Sequence, residues 1–111
     1  MRIKVLSCAE QEFSEAVDYY NDQFPGLGYE FAVEVQNTFD RILSFPEAWP
    51  PFSNRTRRCI INRFPYGVVY QVRQDCILVG GIMHMKRNPK RWQERLEQVL
   101  GEPGAQADRK G

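Results

Sequence analysis

Acid–base and anion chemistry concentrates in one stretch, Gly80 to Trp92 (GGIMHMKRNPKRW), which holds the single histidine, His84, followed by Lys86, Arg87, Lys90 and Arg91. An imidazole titrates near neutrality and can donate or accept a proton, while guanidinium groups grip phosphate oxygens in pairs. With Arg58 and Arg73 from the preceding strands, His84, Lys86 and Arg87 compose a candidate anion site. Such a set would suit RNA cleavage by attack of a 2′-hydroxyl on the adjacent phosphate, which needs a base, an acid and cationic stabilisation of the developing charge. The plainer reading is a strand-end histidine bonded to backbone, a solvated basic link, and a helix capped by Asn88 and started by Pro89, with Lys90, Arg91 and Arg95 on its outer face. Trp92 is then either a core side chain or a stacking platform.

Other chemistries lack their residues. There is no G-x-S-x-G, no P-loop and no G-x-G-x-x-G, and one histidine cannot supply an H-E-x-x-H metal site. Cys8, Cys59 and Cys76 are odd in number and widely spaced, without a C-x-x-C. The expectation is three reduced, mostly buried thiols, no zinc and no other cofactor.

A chain of 111 residues, 42% hydrophobic and 26% charged, suits one globular domain, here residues 1–100 followed by a flexible tail over 101–111. No apolar run approaches the roughly 18 residues of a membrane span, and the N-terminus turns acidic before a signal-peptide core could form, so the expectation is a soluble, cytoplasmic protein. The net charge of +1 conceals a division: three basic residues against nine acidic from Met1 to Asn54, then ten against two from Arg55 to Arg95. Such asymmetry suggests a basic surface that meets something anionic, or one that balances the acidic helices internally.

The elements that must carry these residues follow from periodicity. RIKVL reads as a short strand, and Ser7 with Glu10 as a capping box opening a helix in which Phe13, Val17, Tyr20 and Phe24 form the apolar stripe, with Glu12, Glu15, Asp18 and Asp22 outside it. FPGLG breaks that helix. A second, from about Leu27 to Leu43, carries Gly28, Ala32, Val35, Phe39 and Ile42, and the short link makes the two an antiparallel hairpin. After the proline-rich FPEAWPPFSN the period changes to two, and RRCIINR, GVVYQVR and CILVGGIMHM read as an antiparallel meander. A last helix buries Trp92, Leu96 and Val99. The order β-α-α-β-β-β-α predicts an α+β domain with the helical hairpin on one face of the sheet.

Register decides which side chains meet. Turns at Gln74–Asp75 and Pro65–Tyr66 would pair Val72 with Ile77, Tyr70 with Val79, Val69 with Gly80, Arg63 with Val68 and Ile61 with Tyr70. One face then holds Cys59, Ile61, Tyr70, Val72, Ile77, Val79 and Met83. The other, half polar, holds Arg58, Ile60, Asn62, Val69, Gln71, Arg73, Leu78, Gly80, Ile82 and His84. Gly80 and Gly81 in mid-strand mark a bend, a bulge or a close approach.

Taken in order, AEQEFSEAVDYYNDQFPGLGYEFAVEV, FPEAWPP, RFPYGVVYQV and HMKRNPKRWQER resemble the ParE/RelE superfamily of bacterial toxins from type II toxin–antitoxin modules, across roughly residues 3 to 96. The resemblance implies a growth-inhibiting toxin of the plasmid-stabilisation type, neutralised by a cognate antitoxin in a hetero-oligomer. Its target would be DNA gyrase in the ParE branch, or ribosome-bound mRNA in the RelE branch. The cleaving branch places an arginine after the position of Tyr66, where this chain has Gly67, and a tyrosine where it has Trp92. Lys86 and Arg87 match its basic strand end. The expectation is therefore a ParE-like toxin that binds its target, gyrase, through Arg58, Arg73, Lys86, Arg87 and Trp92. The alternatives are an mRNA endonuclease using His84, Arg58 and Arg87, without a metal, and a non-toxic relative that only binds its antitoxin.

Overall fold

Arg2–Val5 (β1), Ser7–Gln23 (α1), Leu27–Ser44 (α2), Arg57–Ile60 (β2), Tyr66–Val72 (β3), Cys76–His84 (β4) and Pro89–Gln98 (α3) follow one another in the computed structural model. It describes residues 1–87 and 89–98, the side chains of residues 89–91 excepted. Asn88, Val99, the segment 101–111 and the side chains of Lys90 and Arg91, all given roles above, lie outside the described residues. The element order is the one the periodicity predicts. The strands form one sheet in the order β1-β4-β3-β2, with β1 parallel to β4 and the meander antiparallel. No helix among the described residues is long and apolar enough to cross a membrane.

The hairpin turns at Gly26, whose φ of 90° lies in the left-handed region that glycine enters without strain. Two residues later α1 and α2 nearly touch: a Cβ on Gly28 would collide with the Val17 carbonyl and the Asn21 side chain, whose Oδ1 accepts the Gly28 N–H at 2.8 Å. Two expectations fail here. The Leu6 N–H donates to the Val79 carbonyl at 3.0 Å, extending the pairing of β1. Ser7 is thereby drawn inside the helix, Leu6 occupies the N-cap without a side-chain bond, and the capping box does not form. Phe24 leaves the apolar stripe, 64% exposed, because the helix ends at Gln23 and the chain turns extended.

Under the hairpin, Phe13, Tyr20, Phe31, Phe64 and Tyr66 stack with centroids 4.9 to 6.2 Å apart, above Cys59, Val68, Tyr70, Ile77, Val79 and Ile82. Phe64 explains a correction. The link from β2 to β3 spans 61–65 and is no two-residue turn at Pro65–Tyr66, since Phe64 must reach the aromatic cluster, and Arg63 adopts a φ of 73° to send it there. Cys59 therefore pairs with Val68 and Arg57 with Tyr70, where the sequence suggested Arg63 and Ile61.

A second correction lies in mid-strand. Val72 pairs with Ile77 and Tyr70 with Val79 as expected, but Val69 pairs with Gly81, leaving Gly80 as the extra residue of a bulge. Alternation reverses beyond it. Ile82 packs under the hairpin while Met83 packs with Val69 and Trp92 on the opposite face. That opposite face is no half-polar solvent surface either: Trp92 and Leu96 of α3, together with Phe52, cover Val69, Leu78 and Met83. The three cysteines are free thiols, only Cys59 fully buried, and burial raises its pKa.

Candidate functional site

Because the bulge reverses alternation, His84 lies opposite Tyr66 on the hairpin side of the sheet, ring centroids 5.1 Å apart, and not beside Arg58 and Arg73 as the register argument placed it. The turn after β4 carries exposed Lys86 and Arg87 back over this strand end. The Arg87 guanidinium acts on the Tyr66 hydroxyl, lowering its pKa. Tyr66, His84 and Arg87, together with Glu12 and Glu15 from α1 and with Ile82, Met83 and Trp92 around them, line a cleft of about 140 Å³.

The electrostatics of the cleft follow from burial first. Burial raises the Tyr66 pKa, against the lowering by Arg87, and raises that of Tyr20, with Tyr66 and Tyr19 adding to it. His84 is lowered by burial and then by the charges of Arg87 and Lys86. Near neutral pH the cleft thus presents a neutral imidazole, a neutral phenol and the Arg87 guanidinium beside the carboxylates of Glu12 and Glu15. The His84 Nδ1 accepts the Lys86 N–H at 3.2 Å, which puts the ring proton on Nε2. In this state the imidazole can donate to a ligand, but its lone pair is already engaged.

Glu12 serves the bulge. Its Oε1 accepts the Ile82 N–H at 3.0 Å and Arg95 Nη1 at 2.9 Å, and the same Nη1 reaches the Gly80 carbonyl at 3.4 Å, where Cys8 Sγ also donates at 3.6 Å. Arg95 lies over the Trp92 ring, 4.4 Å from its centroid. The backbone groups that the bulge frees are therefore satisfied by side chains from both ends of the chain. Arg95 belongs to this network and not to a helix's outer face.

The remaining predicted residues are dispersed. Arg58 lies on the α3 side of the sheet: its guanidinium stacks 5.2 Å from the Phe52 centroid, and its stem crosses Gly67, where a Cβ would meet it at 3.0 Å. Arg73 donates Nε and Nη2 to Gln71 Oε1 at 2.9 and 2.7 Å. Trp92 is 5% exposed and sits against Gly81, so it is packing and presents little surface to a target. Tyr66, Glu12 and Glu15 were absent from the sequence-based set. Tyr66 had been spent on a turn, and the two acids on the outside of α1. Fully buried Ala9 and Ala16 show that the stripe is rotated towards Glu12, three residues from one and four from the other.

Comparison with known proteins adds three findings. The sequence profile described as "ParE toxin of type II toxin-antitoxin system, parDE" matches residues 3–89. Among solved structures, a chain of the chromosomal ParDE toxin–antitoxin system from P. aeruginosa superposes with a TM-score of 0.70 at 14% identity, over 78% of this chain and 97% of that one. No curated protein matches the sequence at a significant level.

Proposed function

The chain belongs to the ParE toxin family of type II toxin–antitoxin systems, and on that premise we infer that it inhibits growth in the cytoplasm by binding a macromolecular target, DNA gyrase, until a cognate antitoxin covers it. The observation that carries binding over cleavage is the state of His84. Its basic nitrogen is occupied by the Lys86 N–H, and Arg58, the phosphate clamp that cleavage was to use, lies on the other face of the sheet. Arg73, Lys86 and Arg87 are exposed and Arg58 half-buried, and among the described residues none of the four has a carboxylate ion-pair partner. Cations of this kind steer encounter with an anionic surface and contribute affinity once desolvated. Purified toxin should inhibit gyrase supercoiling, and Lys86→Ala/Arg87→Ala should relieve the inhibition. Unchanged supercoiling at saturating toxin, with no DNA breaks in cells, would remove gyrase as the target.

A second reading, ribosome-dependent mRNA cleavage, is favoured by the grouping of Tyr66, His84 and Arg87 in one polar cleft. There Arg87 would hold the phosphate, and Tyr66 or His84 would donate to the leaving oxygen. It requires that His84→Gln and Arg87→Ala abolish toxicity while the domain stays folded. Equal toxicity in both variants, with no new mRNA ends, would exclude it.

A further inference from the structure

Beyond Tyr70 and Val79, β4 can meet β3 in two registers. A ladder without an extra residue would continue through Val69–Gly80, Val68–Gly81 and Gly67–Ile82 to Tyr66–Met83, and His84 would turn to the α3 side. The structure instead pairs Val69 with Gly81, Val68 with Ile82 and Tyr66 with His84. That one-residue difference carries the strand end with it, because a slip of one exchanges the faces of every side chain beyond it. Apolar burial distinguishes the two registers chiefly where Gly81 would replace Ile82 beneath the hairpin.

Polar contacts distinguish them further. β1 pairs with residues 76–79 only, and its pairing ends where the Leu6 N–H meets the Val79 carbonyl. Val79 therefore turns its backbone groups towards β1, and in an unbroken ladder Gly80 would turn its own towards Val69. The Gly80 carbonyl takes Arg95 Nη1 at 3.4 Å and Cys8 Sγ at 3.6 Å instead, while Glu12 Oε1 accepts both the Ile82 N–H at 3.0 Å and Arg95 Nη1 at 2.9 Å. The Arg95 contact with Gly80 belongs to the bulged register alone. A contact made in one state only is what biases an equilibrium between two.

We propose that Glu12 and Arg95 are positioning residues: by holding Gly80 as the extra residue, they fix residues 81–87 in the register that sets His84 beside Tyr66 and brings Arg87 to the cleft. The consequence for growth inhibition rests on the gyrase reading, because Lys86 and Arg87 are the target contacts that this register carries. The test contains no gyrase. Its failure would leave supercoiling inhibition standing, and a null supercoiling result would leave the register standing.

The readout is the nuclear Overhauser contact between the imidazole protons of His84 and the Tyr66 ring, measured by NMR on the full chain, where the ring centroids lie 5.1 Å apart. Glu12→Ala/Arg95→Met removes both charges together, so that neither is left buried alone, and keeps an apolar side chain against Trp92. In this variant the contact should be lost, and with it the ring-current shift of the imidazole protons. Val79 faces the hairpin and Gly81 faces Trp92, so deleting Gly80 makes neighbours of two residues that already point to opposite faces. Deletion of Gly80 in the double variant should therefore restore the contact without Glu12 or Arg95. A buried ion pair that only stabilised the fold would not be replaced by that deletion. A folded double variant that keeps the parent contact overturns the proposal. So does a Gly80 deletion that fails to restore it, whether the double variant is folded or not, whereas recovery of fold and contact together from an unfolded double variant supports it.

Discussion

Arg95 Nη1 lies 2.9 Å from Glu12 Oε1, an ion pair that joins α3 to α1 across 83 positions of sequence, its side chains only 9% and 18% exposed. Each partner also serves the backbone of the bulge, so removing one leaves a nearly buried charge and a freed amide or carbonyl. Arg95→Ala should cost about 3 kcal/mol in urea unfolding. The shorter pair between Arg63 and Glu30, 2.6 Å apart but 55% and 46% exposed, is screened by solvent, and Arg63→Ala should cost much less than Arg95→Ala. Equal losses would show that burial does not govern these pairs.

Trp92 and Gly81 form a knob and its seat: a Cβ on Gly81 would overlap the edge of the indole ring at Cη2. Gly81→Ala must therefore push α3 away, at about 1–3 kcal/mol, and Trp92→Ala should cost about 3–5 kcal/mol through the cavity it leaves. The double variant Gly81→Ala/Trp92→Leu should lose less than the sum of Gly81→Ala and Trp92→Leu, because the new methyl enters space the indole vacated. Strict additivity in urea midpoints would show that the two sites do not share that space.

The same contact explains what could be read from the sequence and what could not. Helices and strands were legible because their periods, 3.6 and 2, are properties of neighbouring residues, and so was the Pro-Gly link between α1 and α2. The bulge was not. Gly80–Gly81 is compatible with a twist, a bend or an extra residue, and the choice is made by Trp92, Arg95 and Glu12, which arrive from other elements. One misplaced residue then moved His84 to the wrong face and hid Tyr66 as its neighbour. The basic strand end was found from residue types alone, whereas the acids opposite it needed the true rotation of α1.

His84 offers an isolated pH probe, since the chain has no other histidine. Its folded pKa is lowered from 6.5 by burial and by Arg87 and Lys86, so the unfolded chain binds its proton more readily. This contribution to stability is complete above the unfolded value and is lost as pH falls below about 6.5 through the folded pKa. An NMR titration of the imidazole should give a midpoint below 6.5, moving upward in Arg87→Gln. An unshifted midpoint in that variant would mean that Arg87 does not act on the ring.

Tyr70 makes the opposite prediction at alkaline pH. Its hydroxyl donates to the Pro46 carbonyl at 2.6 Å, and burial pushes its pKa to about 12, from 10 for a free phenol. A group whose folded pKa is raised contributes stability that is fully present below pH 10 and is lost as pH rises through the folded value. Ultraviolet titration at 295 nm should show one tyrosine ionising after the others, close to alkaline unfolding. Tyr70→Phe should remove that late step and destabilise the domain by about 1–3 kcal/mol at pH 7, because the Pro46 carbonyl loses its donor beneath the loop that leads from α2 to β2. A late step that survives in Tyr70→Phe would assign it to half-buried Tyr20 or to buried Tyr66, whose pKa values are also raised.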